Sequence, residues 1–162
     1  MGLWAGLEVV IEDTMVSLLI NEPEHLESQE FSKIKVPLAE FETMEKEERM
    51  RFLVTEVQRN LGAGRRHGVD GFEKVLEVVG LGGTVDDETK KAIRELHGLR
   101  NVIVHRDSRA DRKLVEACPW LGLHPGDRVT VAIDTVRRYD TAVAQYASTL
   151  ADRIIERAEE KQ

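Results

Sequence analysis

Residues 84–106 read "TVDDETKKAIRELHGLRNVIVHR", and their spacing predicts one long amphipathic helix. Asp86 or Asp87 can cap its start, the early acids suit the positive end of the helix dipole, and Ile93, Leu96, Leu99 and Ile103 form an apolar seam. Toward its end, however, Arg100, Asn101 and His105 interrupt the aliphatic run of Leu99, Val102, Ile103 and Val104. A guanidinium, an amide and an imidazole within two turns of a helix are more than a packing surface requires.

Working outward, residues 3–21 predict a first amphipathic helix on the seam Trp4, Leu7, Ile11, Thr14 and Leu18, ending before Pro23. "FSKIKVPLAEF" (31–41) predicts an extended connection, because Pro37 biases the residue before it away from helix. A second helix is expected from about Thr43 through Met50, Leu53, Val57 and Leu61, stopped by "GAGRRHG". A short helix from about Asp70 to Val79 carries Phe72, Val75, Leu76 and Val79, and "GLGG" ends it. No G-x-x-x-x-G-K-[ST] pattern accompanies those glycines, so they predict a helix stop and not a phosphate cradle.

After "DSRAD" the segment "CPWLGLHPGDRVTVAID" predicts a loop with a Pro-Gly-Asp turn and too little alternation at Val129 and Val131 for a sheet. Val136, Val143, Leu150 and Ile154 then mark a long last helix. The expected fold is therefore all-α: an up-and-down bundle of four to five helices with short irregular or extended connections, as one domain over 1–162.

Composition agrees. The chain has 162 residues, 41% apolar and 33% charged, with 5% aromatic and four Pro, which favours helices over an aromatic-rich sandwich. Its single Cys118 excludes an intrachain disulfide and a multi-Cys zinc cluster, and no cofactor or metal is expected. No apolar run approaches the roughly 20 residues of a membrane span, and Glu8, Glu12 and Asp13 interrupt what a signal peptide would keep apolar. A cytoplasmic location and no membrane partner are expected. Gly6 stands where myristoylation would need Ser or Thr.

The net charge of −7 argues against an indiscriminate nucleic-acid coat. Yet between Lys90 and Lys113 stand eight Lys or Arg against three acids, so this segment alone is basic. It offers Arg94, His97, Arg106 and Arg109 as RNA contacts.

Asn101 and His105 are four residues apart and lie within about 40° of each other around a helix, with His97 one turn further back. Arg100 sits to one side, but its long stem can bring the planar donor fork round to a phosphate. An imidazole can take a proton from a ribose 2′-hydroxyl or give one to a leaving oxygen. Arg neutralises charge gathering on phosphoryl oxygens, and Asn can orient either group. The same spacing also suits a plainer arrangement, in which Arg100 and Asn101 satisfy neighbouring helix ends and His105 is a buried, hydrogen-bonded core histidine. His97 with His105 could bind a metal, but no adjacent carboxylate completes a ligand set. Trp120 and Tyr139 suit either stacking on bases or burial in the core.

"LHGLRNVIVHR" resembles the signature of the HEPN superfamily: an Arg, a polar residue, three to five further residues and a His on the penultimate long helix of an α-bundle. "GFEKVLEVVGL" before it and "ADRKLVEACPWLGL" after it extend the resemblance over most of the chain in element order, toward the branch linked with RNA stress and phage defence. The resemblance implies a metal-independent endoribonuclease that acts as a homodimer through the motif helix, with both copies lining one cleft. It implies Arg100 as the phosphate and transition-state contact, Asn101 as the orienting residue and His105 as the acid/base. It also implies a toxin, abortive-infection or stress-response setting with an antitoxin or sensor partner. Asp107 departs from members silenced by nucleotidylation, which carry a Tyr two residues past the His. The rival expectation is a non-catalytic HEPN-like helical module that binds RNA, a nucleotide or a protein partner.

Overall fold

The computed structural model describes residues 2–63 and 68–160. Among these the protein is all-α, with eight α-helices and no strand. They are α1 (Gly2–Asn21), α2 (Gln29–Ser32), α3 (Leu38–Thr43), α4 (Lys46–Asn60), α5 (Val69–Leu76), α6 (Asp87–His105), α7 (Arg112–Ala117) and α8 (Ile133–Glu160). Four of the eight exceed three turns: α1, α4, α6 and α8. The others are short, and single 3₁₀ turns follow α1, α5 and α7.

The chain divides into two compact units. One comprises Met1–Leu7, His67–Asp70 and Thr84–Gln162, and the other Glu8–Arg66 and Gly71–Gly83. In the second unit, α4 starts at a capping box in which Glu45 accepts from the backbone of Glu48 and Glu48 accepts from that of Glu45. The cap is thus two residues later than the expected Thr43, because Thr43 spends its hydroxyl on the carbonyl of Glu40 within α3. Met50, Leu53, Val54 and Val57 form the buried face of α4. Arg51, on the outer side, gathers Glu12, Asp13 and Glu47, which hold its guanidinium even more firmly protonated than usual. Only residues 33–37 of the expected extended connection lack helix, and α2 and α3 flank them. At the end of α5 a 3₁₀ turn (Glu77–Val79) leads into left-handed Gly80, and the N–H of Leu81 reaches back to the carbonyl of Leu76. "GLGG" therefore does stop this helix, as glycine after a C-terminus commonly does. Of "GAGRRHG", residues 64–67 lie outside the described residues.

In the first unit α6 packs along α8 and against α7. Asp86 caps α6 by accepting from the N–H of Thr89, and that bond holds its carboxyl below the usual range. The buried face of α6 runs through Ala92, Ile93, Glu95, Leu99 and Val102, so the expected seam is turned: Leu96 and Ile103 are only half-buried. Gly98 admits α7, since a Cβ there would stand 2.7 Å from Leu114 Cδ1.

The seam of α8 also differs. Tyr139, Ala142, Tyr146 and Leu150 are buried, whereas Val136 and Ile154 are 40% and 36% exposed. Of the expected aliphatic stripe only Leu150 is buried, because the spacing by seven passed over two tyrosines and a small residue. Ala142 allows close approach, and the Tyr139 hydroxyl is satisfied by donating to Glu95 at 2.9 Å. A shift of the same kind affects α1, whose buried face continues from Ile11 to Met15 and Leu19 while Thr14 and Leu18 are half-buried.

Candidate functional site

α6 ends with His105 in its last turn, and the way it ends exposes the site. Arg106 is the C-cap, Asp107 and Ser108 both take positive φ (51° and 55°), and the N–H of Ser108 returns to the carbonyl of Val102 at 3.1 Å. No glycine performs this reversal, although Asp and Ser tolerate the left-handed region only at some cost. The N–H of Val129 then donates to the carbonyl of Ser108 at 2.7 Å, tying the turn to the segment before α8.

On the last two turns of α6 the three motif side chains meet. Arg100 Nη1 donates to Asn101 Oδ1 at 3.1 Å and lies 3.4 Å from His105 Nε2. Arg100 and Asn101 are half-buried and His105 is exposed, so the imidazole is not a core histidine. A guanidinium N–H aimed at Nε2 calls for the tautomer with its proton on Nδ1. No carboxylate pairs with Arg100 among the described residues, so its remaining N–H groups stay available to an anion.

The other candidate contacts are dispersed. Arg94 forms an ion pair with Asp70 at 2.6 Å. His97 is stacked on Trp4, with centroids 4.3 Å apart and planes 10° from parallel, and its Nδ1 accepts from the N–H of Gly68 at 3.3 Å. That ring is built into packing within the unit and is not aligned with His105 toward one cleft. Arg106 and Arg109 are exposed beyond the end of α6, and Arg109 Nη1 donates to the carbonyl of Gly126 at 3.1 Å. No three His, Cys, Asp or Glu side chains cluster as a metal site would require among the described residues, and none of their helices is long and apolar enough to cross a membrane.

Sequence reasoning missed Glu95. Its carboxylate is 1% exposed and accepts from Trp120 Nε1 at 2.6 Å, from the Tyr139 hydroxyl at 2.9 Å and from the Arg138 guanidinium. Burial and this carboxylate push the Tyr139 hydroxyl well above its ordinary range, and they raise the nearby Cys118 thiol to about 11. Trp120 and Tyr139 are thus held by a carboxylate, and Lys91 Nζ lies 5.1 Å over the Trp120 ring. A single acid between Ile93 and Leu99 on a buried stripe was the available signal, since a buried charge implies partners elsewhere in the chain.

Comparison with protein-family models, with curated proteins and with solved structures finds no match to this chain. The HEPN resemblance therefore stands on the motif residues and the order of the helices alone.

Proposed function

We propose that this protein is an endoribonuclease that cleaves RNA by attack of the ribose 2′-hydroxyl, without a metal ion. One observation carries the reading: a single guanidinium nitrogen of Arg100 touches both Asn101 and His105 at an accessible helix end. In the free protein Arg100 occupies the imidazole Nε2. An incoming phosphodiester competes for the guanidinium, and once Arg100 turns to the phosphoryl oxygens, Nε2 is free to accept the 2′-proton. The 2′-oxygen then bonds to phosphorus, the bond to the 5′-oxygen breaks, and that oxygen takes the proton from the His105 imidazolium. The products are a 2′,3′-cyclic phosphate and a 5′-hydroxyl. Asn101 keeps the guanidinium at the helix face through its side-chain oxygen.

Three side chains on one helix do not enclose a strand, so the reading includes a homodimer in which two copies of α6 line one cleft. Arg106 and Arg109, both exposed, supply phosphate contacts beyond it. The resemblance supports a toxin or phage-defence setting with an antitoxin or sensor partner. Incubating labelled RNA with wild type and with His105→Ala in excess chelator tests the reaction. Cleavage by wild type to cyclic-phosphate ends, lowered about 10²- to 10⁴-fold in the variant, is the expected result. Undiminished cleavage by a folded His105→Ala, or 5′-phosphate products that vanish with chelator, overturns it.

A further inference from the structure

We infer that Arg109 and Arg128 together form a phosphate-binding site for the RNA strand beside the end of α6. This rests on the reading that RNA is the ligand. The two residues face each other in an isolated antiparallel bridge. The flanking bonds run from the N–H of Val129 to the carbonyl of Ser108 (2.7 Å) and from the N–H of Ala110 to the carbonyl of Asp127 (2.9 Å). Arg109 and Arg128 are therefore the non-hydrogen-bonded pair, in which Cα atoms approach to about 4.5 Å and the side chains leave on the same face.

Like charges directly opposite each other destabilise a ladder, so a bare arginine pair opposes folding. Neither guanidinium meets a carboxylate among the described residues, and both residues are exposed. Of the acids beside them in sequence, Asp111 accepts from the N–H of Leu114 and Asp127 from that of His124. Asp107, exposed, is the remaining acid on this segment. A phosphate between the two forks would relieve the repulsion and receive donors from both. The donor of Arg109 to Gly126 holds one fork in place beforehand.

The site is also fixed relative to the proposed chemistry. Arg109 is four residues past His105, so their Cα atoms are at most about 14 Å apart, and the bond from Ser108 to Val102 ties the intervening turn to α6. The pair thus grips a neighbouring phosphate of the strand whose bond His105 cuts.

Binding of a labelled single-stranded RNA, made uncleavable by 2′-O-methylation, measured by anisotropy across a salt series, tests this directly. Arg109→Ala with Arg128→Ala should flatten the slope of log K against log salt by about 0.7, the value of one single-strand phosphate contact. Arg128→Ala alone should flatten it by part of that, and Arg128→Lys should recover most of the slope. In Arg128→Ala, KM for cleavage of a long strand should rise. An unchanged slope in the folded double variant, or no RNA binding by wild type, overturns the site. Wild-type binding with the expected slope changes but without cleavage would leave the site standing and refute the nuclease reading alone.

Discussion

Arg100 Nη1 lies 3.4 Å from Nε2 of His105, five residues further along the same helix. Residues five apart are about 140° apart around the axis, outside the usual three- and four-residue pairing. The contact exists because the arginine stem wraps round the helix, with Asn101 holding the guanidinium between. The two groups should therefore act as a unit. In single-turnover cleavage, Arg100→Ala combined with His105→Ala should cost little more than the worse single change, because both residues serve one transition state that needs the base and the phosphate contact together. Multiplicative losses would show that they act separately.

Glu95 joins α6 to α8 and to the loop carrying Trp120. Glu95→Ala removes the acceptor of three donors, the buried Tyr139 hydroxyl among them, and should lower unfolding free energy by about 3 kcal/mol. Glu95→Gln, which keeps an acceptor oxygen, should cost less. Urea titration of the three proteins measures both differences.

Asp86 ionises below an ordinary aspartate because it caps α6, so its contribution is present above about pH 4, where the unfolded carboxyl is charged, and is lost as pH falls through its lowered native value. Asp86→Ala should cost about 1 kcal/mol at neutral pH. The gap to wild type should narrow on acidification below about pH 4, as thermal melts at a series of pH values will show.

Gly68 has φ +62°, and a Cβ there would stand 2.9 Å from the Cα of Arg94, a backbone atom that cannot move aside. Gly68→Ala should destabilise by about 2 kcal/mol or more, combining left-handed strain with this clash. The same change should loosen the bond to His97, so the His97 ring resonances should shift by NMR.

Cys118 is buried, and its thiol is raised to about 11 by desolvation and by Glu95. At pH 8 the folded protein should leave a thiol reagent unreacted, while the unfolded chain reacts fully. Because an unfolded thiol ionises near 8.5, the folded state should lose stability as pH rises from about 8.5 toward 11. Cys118→Ser should weaken that alkaline slope.

Local signals carried the all-α fold: Asp86 before a periodic run, Gly80 after one, and Pro-Gly-Asp in the turn after His124 are decided by backbone geometry within a few residues. The four-residue spacing of Asn101 and His105 likewise put them on one face before any tertiary contact was known. Which stripe of α8 faced inward was not local. Tyr139 is buried because Glu95, forty-four residues earlier, accepts its hydroxyl, and an aliphatic count has no access to that partner. His97 followed the motif line in sequence, yet stacking on Trp4 claimed it. Arg128 entered only through the bridge to Arg109, since strand pairing is set by chain reversal and long-range hydrogen bonds. Helix boundaries and face spacing depend on short-range geometry, whereas buried charges and paired cations depend on what the folded chain brings alongside them.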